Sequence, residues 1–314
     1  MKGYLSEMKT INRLVSPAIL SFALAVGIIL PALTPDAVAG APNTVASIRV
    51  DSEYLTIASI TPKIDSTSDS EVSVRVDGKY VRMPYSIMLI DSATYVPLYD
   101  FSMIMGTAKI TQDDENVTVS LPGLLIDATA DNSYFTANGR YLYVPSLCRM
   151  IDNVMYVPIR PLAKAFGAEI KWASDSRTVD IFPSSKPIES GSKFYDETDL
   201  YWMSRIISAE ARGECMDGKI AVGHVIMNRL RSSSYPDTVR GVIFDKRSGI
   251  QFSPAYSGSI NRTPDQECII AAKLALDDAD VVGNSLFFNA SRVHGWASRN
   301  RTFVATIGNH TFYA

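Results

Sequence analysis

The chain has 314 residues, of which 46% are apolar and 20% are charged. This composition is typical of globular proteins and excludes disordered and collagen-like chains, and the length allows two domains and a linker. The formal net charge of −3 excludes a net attraction to nucleic acid, so we expect no nucleic-acid partner. Cys148, Cys215 and Cys268 form no CxxC pair, which disfavours a structural zinc site and a disulfide-dense scaffold.

The first 39 residues have the pattern of a signal peptide. Three basic residues within the first thirteen precede an apolar stretch from Ala18 to Leu30, and the small residues at 37–39 predict cleavage before Gly40. We therefore expect a secreted or envelope protein in which residues 40–71 form an N-terminal extension. The alternative is an uncleaved anchor, which the short apolar run disfavours because a spanning helix needs about 20 apolar residues.

An internal repeat follows. Residues 76–98 align without a gap with residues 137–159, at a spacing of 61 residues, and each copy contains a Tyr-Val-Pro tripeptide. Short runs of β-branched and aromatic residues between turn residues predict strands, one short helix and further strands in each copy. In the second copy we expect the helix to end at Gly167 and a hairpin to close the unit at 169–181.

The segment YVPIRPLAKAFGAEIKW, which begins at Tyr156, and its weaker first copy from Tyr95 resemble the copper amine oxidase N-terminal-like domain. This is a stalk module of Gram-positive envelope proteins. The resemblance covers residues 72–183 and implies attachment to the cell envelope, with an inert spacer as the alternative. Copper chemistry is not expected because this stretch contains no histidine. The polar run that follows predicts an interdomain linker at 184–198.

From Asp199 the apolar period becomes helical. One stripe of the predicted helix contains Leu200, Met203, Ile207 and Glu210. We expect the helix to end at Gly213, so Glu210 lies in its last turn on the apolar face. Loss of hydration and the negative helix end both favour the protonated carboxyl that a general acid requires. The alternative is a buried structural glutamate paired with Arg205, Arg212 or Arg229.

The run IISAEARGE at 206–214, followed by GKIAVGHVIMNR at 218–229, resembles the SleB family of cell wall hydrolases, the family of spore cortex-lytic enzymes. The resemblance extends from Asp199 to Ala314. It implies a lysozyme-like α+β domain that cleaves the β-1,4 bond between N-acetylmuramic acid and N-acetylglucosamine in peptidoglycan, with Glu210 as the catalytic glutamate. Many members are lytic transglycosylases, in which one carboxyl acts first as acid and then as base.

Other residues of this domain are candidates for binding substrate or supporting Glu210. For Glu214 we favour a structural or charge-tuning role, such as binding backbone amides at the start of the next helix, over a nucleophile. Asn228 and Arg229 could orient Glu210 or bind an acetamido group, with C-terminal capping of their helix as the alternative. His310 could bind substrate, support the glutamate helix, or be structural.

Aromatic residues near the end of the chain suggest a surface for sugar rings. Phe287, Phe288 and Asn289 form a predicted strand, and alternation should turn one phenylalanine inward. Trp296 is a further candidate platform. Upstream, residues 263–266 (TPDQ) read as a capping box with Pro264 at the first helical position of a helix that ends near 278.

The sequence thus predicts an α+β protein in which a mainly helical, lysozyme-like catalytic domain with a short sheet follows a duplicated β-rich stalk domain. The three histidines match no metal-binding spacing, so we expect neither metal nor cofactor. The expected function is an exported peptidoglycan glycosidase, a monomer that acts as a lytic transglycosylase on glycan strands in the spore cortex or cell wall of a Gram-positive bacterium. The alternatives are a hydrolytic muramidase, a non-catalytic peptidoglycan-binding envelope protein, and a stem-peptide amidase or metallopeptidase.

Overall fold

The computed structural model describes residues 47–51, 54–58, 72–247 and 249–314. The predicted signal peptide lies outside the described residues. Of the predicted extension, two strands are described, β1 (Ser47–Asp51) and β2 (Tyr54–Ala58), which pair antiparallel. Among the described residues, no helix has the length and apolar character needed to cross a membrane.

Residues 72–182 are rich in strands, as predicted. The strands are β3 (Ser73–Val76), β4 (Lys79–Arg82), β5 (Met88–Ile90), β6 (Ala93–Pro97), β7 (Lys109–Gln112), β8 (Asn116–Leu121), β9 (Leu124–Thr129), β10 (Tyr134–Ala137), β11 (Arg140–Tyr143), β12 (Arg149–Ile151), β13 (Val154–Pro158), β14 (Glu169–Ala173) and β15 (Thr178–Phe182). Two short helices interrupt them, α1 (Leu98–Met105) and α2 (Ile159–Ala165). We call residues 72–182 the strand-rich part.

The strands of this part form three sheets. Their orders are β1-β2-β4-β3-β15-β14, β11-β10-β9-β8-β7 and β12-β13-β6-β5. In the third sheet the two Tyr-Val-Pro segments pair antiparallel, with Val96 opposite Val157 and Tyr95 opposite Pro158. The two halves of the predicted repeat therefore meet along their most similar residues.

The same order of elements occurs twice, from β3 to β8 around α1 and from β10 to β15 around α2. At matching positions, Asp77-Gly78 and Asn138-Gly139 form two-residue hairpin turns in which all four φ angles are positive, between 49° and 76°. Such turns suit the right-handed twist of the paired strands, and Gly, Asn and Asp tolerate positive φ best. The predicted closing hairpin is present, with Ile170 opposite Ile181.

The remainder of the chain, from α3 onward, is mainly helical. Its elements are α3 (Gly191–Phe194), α4 (Glu197–Ala211), α5 (Met216–Arg231), α6 (Val239–Ile243), α7 (Pro254–Ser257), a 3₁₀ turn (Ser259–Asn261), α8 (Gln266–Leu276), β16 (Phe287–Ala290), α9 (Trp296–Asn300), β17 (Phe303–Ile307) and β18 (His310–Tyr313). The three strands form one antiparallel sheet in the order β16-β18-β17. We call this region the helical part.

The helix boundaries follow from local capping. Asp196 caps α4 because its carboxylate accepts hydrogen bonds from the amides of Thr198 and Asp199. For α8 the predicted capping box is wrong. Asp265 is the N-cap, and its carboxylate accepts from the Cys268 amide at 2.9 Å, so Pro264 lies before the helix rather than in its first turn.

The two parts pack directly against each other. Arg140 of β11 makes two hydrogen bonds, of 2.8 and 2.7 Å, to the carboxylate of Asp277, just after α8. Lys164 of α2 lies 2.7 Å from the same carboxylate. Within the segment predicted as a linker, Ile188 is buried in the core of the strand-rich part and the Tyr195 hydroxyl donates to Asp277 at 3.3 Å. The segment from 184 to 198 is thus held against both parts.

Candidate active site

Glu210 lies in the last turn of α4 and follows two fully buried residues of the same stripe, Met203 and Ile207. Both approach Gly223 of α5, where an added Cβ would lie 3.1 Å from Ile207 Cδ1 and 2.6 Å from the Cβ of Ala275 in α8. Glycine at this position lets α4, α5 and α8 pack closely. The stripe that ends at Glu210 therefore faces packed helices rather than solvent.

Burial raises the pKa of Glu210 to about 7. Among the described residues, no hydrogen bond or ion pair to its carboxyl compensates for the lost hydration, so the protonated form is favoured. A half-buried carboxyl with this pKa is close to equally protonated and ionised at neutral pH. It can therefore give up a proton and take one back, which is what an acid that later acts as a base must do.

The three arginines that could have neutralised Glu210 are engaged elsewhere. Arg205 donates to the backbone carbonyls of residues 261 and 262. Arg212 donates to Ser208 and lies 3.3 Å from the carboxylate of Asp265. Arg229 donates to the Leu286 carbonyl at 2.8 Å. Among the described residues, none of these three arginines forms an ion pair with Glu210.

Glu214 follows α4 and binds the turn between β17 and β18. One oxygen accepts from the Asn309 amide and the other from the Asn309 side chain, each at 3.0 Å. These bonds lower the pKa of Glu214, and the carboxylate stays ionised. The expectation that Glu214 binds backbone amides at the start of the next helix is wrong, because its partner is Asn309, in the turn between β17 and β18. Gly308 suits this turn because its φ of +55° favours glycine, and because a Cβ 1.9 Å from Oε2 would force the Glu214 carboxylate to move.

Asn228 and Arg229 hold the segment that leads into β16. The Asn228 side chain donates to the carbonyls of Gly283 and Ser285, at 2.7 and 3.0 Å. Arg229 is buried, with its guanidinium 5.2 Å from the Phe252 ring and 5.5 Å from that of Phe287. Both side chains thus bind a distant segment rather than the end of their own helix. Their contacts include none with Glu210 among the described residues.

The two phenylalanines of β16 have different neighbours, as alternation requires. Phe288 packs against the buried rings of Phe252 and Phe312, at centroid distances of 6.0 and 5.8 Å. Phe287 instead contacts Trp296, at 5.5 Å, whose side chain is 53% exposed. Asn289 donates to the Val293 carbonyl at 2.9 Å and shapes the loop before α9. Trp296 is therefore exposed and available for stacking, with Phe287 half-buried beside it.

His310 opens β18, directly after the turn that Glu214 binds. Its ring packs edge-on against Phe288 at 5.3 Å, and its Nδ1 is buried without a partner among the described residues. Burial lowers the pKa of His310, which favours the neutral ring, although the nearby Glu214 carboxylate opposes this shift. The buried nitrogen is a polar group for which the described protein supplies no bond.

Sequence reasoning missed two residues that position this region. Asn309 supplies both donors to Glu214. Lys219 of α5 is buried, and its ammonium donates at 2.6 Å to both the Glu214 carbonyl and the Glu267 carboxylate. The available signal was a lysine at the start of the apolar run of α5, where an uncompensated charge would be unfavourable. Among the described residues, no group of three metal-ligating side chains comes together.

Comparison with known proteins identifies both parts. Residues 213–313 match the family described as cell wall hydrolase, and residues 75–181 match the copper amine oxidase N-terminal domain. The helical part is thus similar to cell wall hydrolase domains. Glu210 lies just before the residues that the family comparison matches.

Proteins similar to the helical part include spore cortex-lytic enzymes. That of Oceanobacillus iheyensis is 38% identical over 120 residues, which are 38% of this chain and 42% of the relative. That of Bacillus cereus is 35% identical over 119 residues, 38% of this chain and 45% of the relative. The matches thus span less than half of these curated relatives.

Two solved catalytic domains also match. That of the Bacillus cereus SleB protein is 33% identical with a TM-score of 0.35, and the match covers 38% of this chain and 92% of that one. The second is the catalytic domain of the germination-specific lytic transglycosylase SleB from Bacillus anthracis, which is 32% identical with a TM-score of 0.35. This match covers 40% of this chain and 100% of that one.

Proposed function

We propose that the protein is an exported glycosidase that cleaves peptidoglycan between N-acetylmuramic acid and N-acetylglucosamine, with Glu210 as its one catalytic carboxyl. The observation that carries the proposal is the unpartnered carboxyl of Glu210, with a pKa raised to about 7 by burial. The cell wall hydrolase domain and the relatives named spore cortex-lytic enzymes support this substrate.

In the proposed reaction, the protonated Glu210 gives its proton to the glycosidic oxygen as the bond from that oxygen to the muramyl C1 breaks. The carboxylate then takes the proton of the C6 hydroxyl on the same muramyl residue, and O6 bonds to C1. The product ends in 1,6-anhydromuramic acid and no water is consumed. Glu210 returns to its protonated form, so a single carboxyl with a near-neutral pKa serves both steps.

Most glycosidases use two carboxylates, and Glu214 is the nearest second candidate along the chain. Both of its oxygens accept hydrogen bonds from Asn309, and these bonds fix the turn between β17 and β18. These bonds hold both oxygens against the turn and restrict the movement of the carboxylate toward a sugar carbon. The arrangement therefore favours a reaction in which the C6 hydroxyl of the substrate replaces the second carboxylate.

We assign the remaining candidate residues as binding or supporting residues. The exposed ring of Trp296, with the half-buried Phe287 beside it, suits stacking on a sugar face. Glu214 binds Asn309, the residue directly before His310, so Glu214 fixes the end of β18 that carries His310. Asn228 and Arg229 hold the approach to β16. In this proposal they position the aromatic strand and do not take part in proton transfer.

For the strand-rich part we propose a duplicated stalk module that positions the lysozyme-like helical part on the envelope. The repeated order of elements and the match to the copper amine oxidase N-terminal domain support it. So does the buried Arg140–Asp277 pair, because a module fixed to the hydrolase domain can orient it, whereas a free spacer cannot. We place the protein at the cell envelope or spore of a Gram-positive bacterium, as a monomer.

The test is mass spectrometry of fragments released from cortex and vegetative peptidoglycan by the purified protein and its Glu210→Gln variant. Glu197→Gln is the matched control, since it makes the same substitution at an exposed position of the same helix. We expect anhydromuramyl products from the parent protein and the control, and none from Glu210→Gln. Cleavage by a folded Glu210→Gln variant would remove Glu210 from the mechanism.

The products also separate the competing functions. Reducing ends in place of anhydro ends would make the protein a muramidase that uses water as the nucleophile. Release of free stem peptides would indicate an amidase. Binding without release from either wall would indicate a non-catalytic envelope protein.

A further inference from the structure

A cavity lies where the strand-rich part meets the segment after α8. It has a volume of about 650 Å³, and Glu210 is not among its lining residues. One wall is formed by β5, α2 and β14 with the turn after β14, and the opposite wall by residues 277–280. This volume lies within the range of sites that hold small molecules or short peptides.

The wall from the strand-rich part carries four cations, two of them without a partner among the described residues. Lys164 is paired with Asp277, and Lys171 lies 3.4 Å from Glu169. Arg160, in the first turn of α2, and Arg177, before β15, are exposed, and no described residue forms an ion pair or hydrogen bond with either guanidinium. Two guanidinium groups therefore face the cavity with unused donors.

The opposite wall does not supply matching negative charge. Asp277 is neutralised by Arg140 and Lys164. Asp278 is paired with Arg231. Asp280 accepts from the Gly283 amide at 2.8 Å but keeps its negative charge, because that donor is neutral. The net charge of the cavity is still positive, because the two guanidinium groups on the strand-rich wall outnumber this one carboxylate.

The same wall exposes large apolar side chains. Trp172 of β14 is 49% exposed and Leu89 of β5 is 59% exposed, and both line the cavity. Guanidinium groups bind carboxylates through paired hydrogen bonds, and a half-exposed indole covers methyl groups or sugar faces. The combination selects a ligand that carries both carboxylates and small apolar groups.

We propose that this cavity binds the carboxylate-bearing stem peptide of peptidoglycan, with Arg160 and Arg177 on its carboxylates and Trp172 against its apolar residues. The inference rests on the proposed function, because that substrate carries short acidic peptides on its muramyl residues. Arg140 and Lys164 bind Asp277 next to this wall, so a peptide held in the cavity sits at a fixed position relative to the hydrolase domain.

The test is isothermal titration calorimetry of the full chain with two probes. The first is the disaccharide N-acetylglucosaminyl-N-acetylmuramic acid carrying its tetrapeptide, and the second is the same disaccharide without the peptide. Neither probe contains the bond that the enzyme is proposed to cleave, so binding is measured without turnover. The variant is Arg160→Gln with Arg177→Gln. The control is Lys79→Gln with Lys109→Gln, which removes two exposed cations of the strand-rich part that do not line the cavity.

We expect the peptide-bearing probe to bind, the arginine double variant to weaken its binding about tenfold or more, and the lysine control to leave it unchanged. Equal binding by parent and arginine variant would overturn the proposal. So would equal binding of the peptide-free disaccharide, which would make the cavity a sugar site, or binding of neither probe.

Cleavage of intact walls by the same preparations distinguishes the two proposals. If wall cleavage depends on Glu210 but peptide binding is independent of the two arginines, only the cavity proposal fails. If the parent protein does not cleave walls but binds the peptide-bearing probe through the two arginines, the glycosidase proposal is refuted. The cavity proposal is then supported.

Discussion

Replacing Glu210 by glutamine should make the folded protein more stable at alkaline pH while it removes the proposed activity. The folded-state pKa of Glu210 is raised to about 7 from a usual value of 4.5, because burial disfavours the charged form. A carboxyl with a raised folded-state pKa contributes its full stability below the unfolded-state pKa. That contribution is lost as the pH rises through the folded-state pKa. Glutamine does not ionise and has nearly the same shape, so it escapes this loss.

The size of the effect follows from the difference between the two pKa values. At 1.36 kcal/mol per unit, ionisation of Glu210 lowers the free energy of unfolding by about 3 kcal/mol at pH 8. Most of this decrease develops between pH 5 and pH 8. We would measure urea unfolding of both proteins at these two pH values by tryptophan fluorescence. The free energy of unfolding of Glu210→Gln relative to the parent protein should increase by about 2 kcal/mol from pH 5 to pH 8. That of Glu197→Gln relative to the parent should not change with pH in this way. A difference that is the same at both pH values would refute the burial of Glu210.

Three further predictions follow. The rate of wall cleavage should fall as the pH rises through about 7, because the acid form of Glu210 is lost, and a pH–rate profile checks this. Gly308→Ala should unfold at lower urea concentration and cleave more slowly, since the new Cβ would lie 1.9 Å from Glu214 Oε2; an unchanged midpoint would contradict the required contact. Arg140→Met should lower the free energy of unfolding by about 3 kcal/mol by leaving Asp277 buried with an incomplete set of partners, whereas replacing both residues by leucine should cost less than the single change.

Features that depend on neighbouring residues could be predicted from the sequence. The tight turns at 77–78 and 138–139 follow from Asp-Gly and Asn-Gly between strand-forming runs. The stripe that ends at Glu210 follows from the 3.6-residue period, since Met203 and Ile207 are both fully buried. The start of α8 could have been predicted better. Asp265, which caps the helix, was read as part of its first turn because a proline preceded it.

Features that depend on distant partners could not be predicted. A helical period predicts which face of the helix a side chain occupies, but it does not identify the residue that the side chain contacts. Glu214 and Asn309 are 95 residues apart, and Arg140 and Asp277 are 137 residues apart. Asn228 illustrates the difficulty, because its place at the end of α5 indicated a cap while its actual acceptors lie more than 50 residues downstream.

The proposed chemistry depends on how differently the structure treats two carboxyls that are four residues apart. Glu210 lies against packed helices with no described partner and holds its proton up to neutral pH. Glu214 has a donor for each oxygen and stays ionised. Pairs of carboxyls whose pKa values are driven apart in this way mark acid and support roles. Here the support is mechanical, because the charge on Glu214 fixes the hairpin that carries His310. Of these two carboxyls, Glu210 is the one whose pKa suits exchange of a proton.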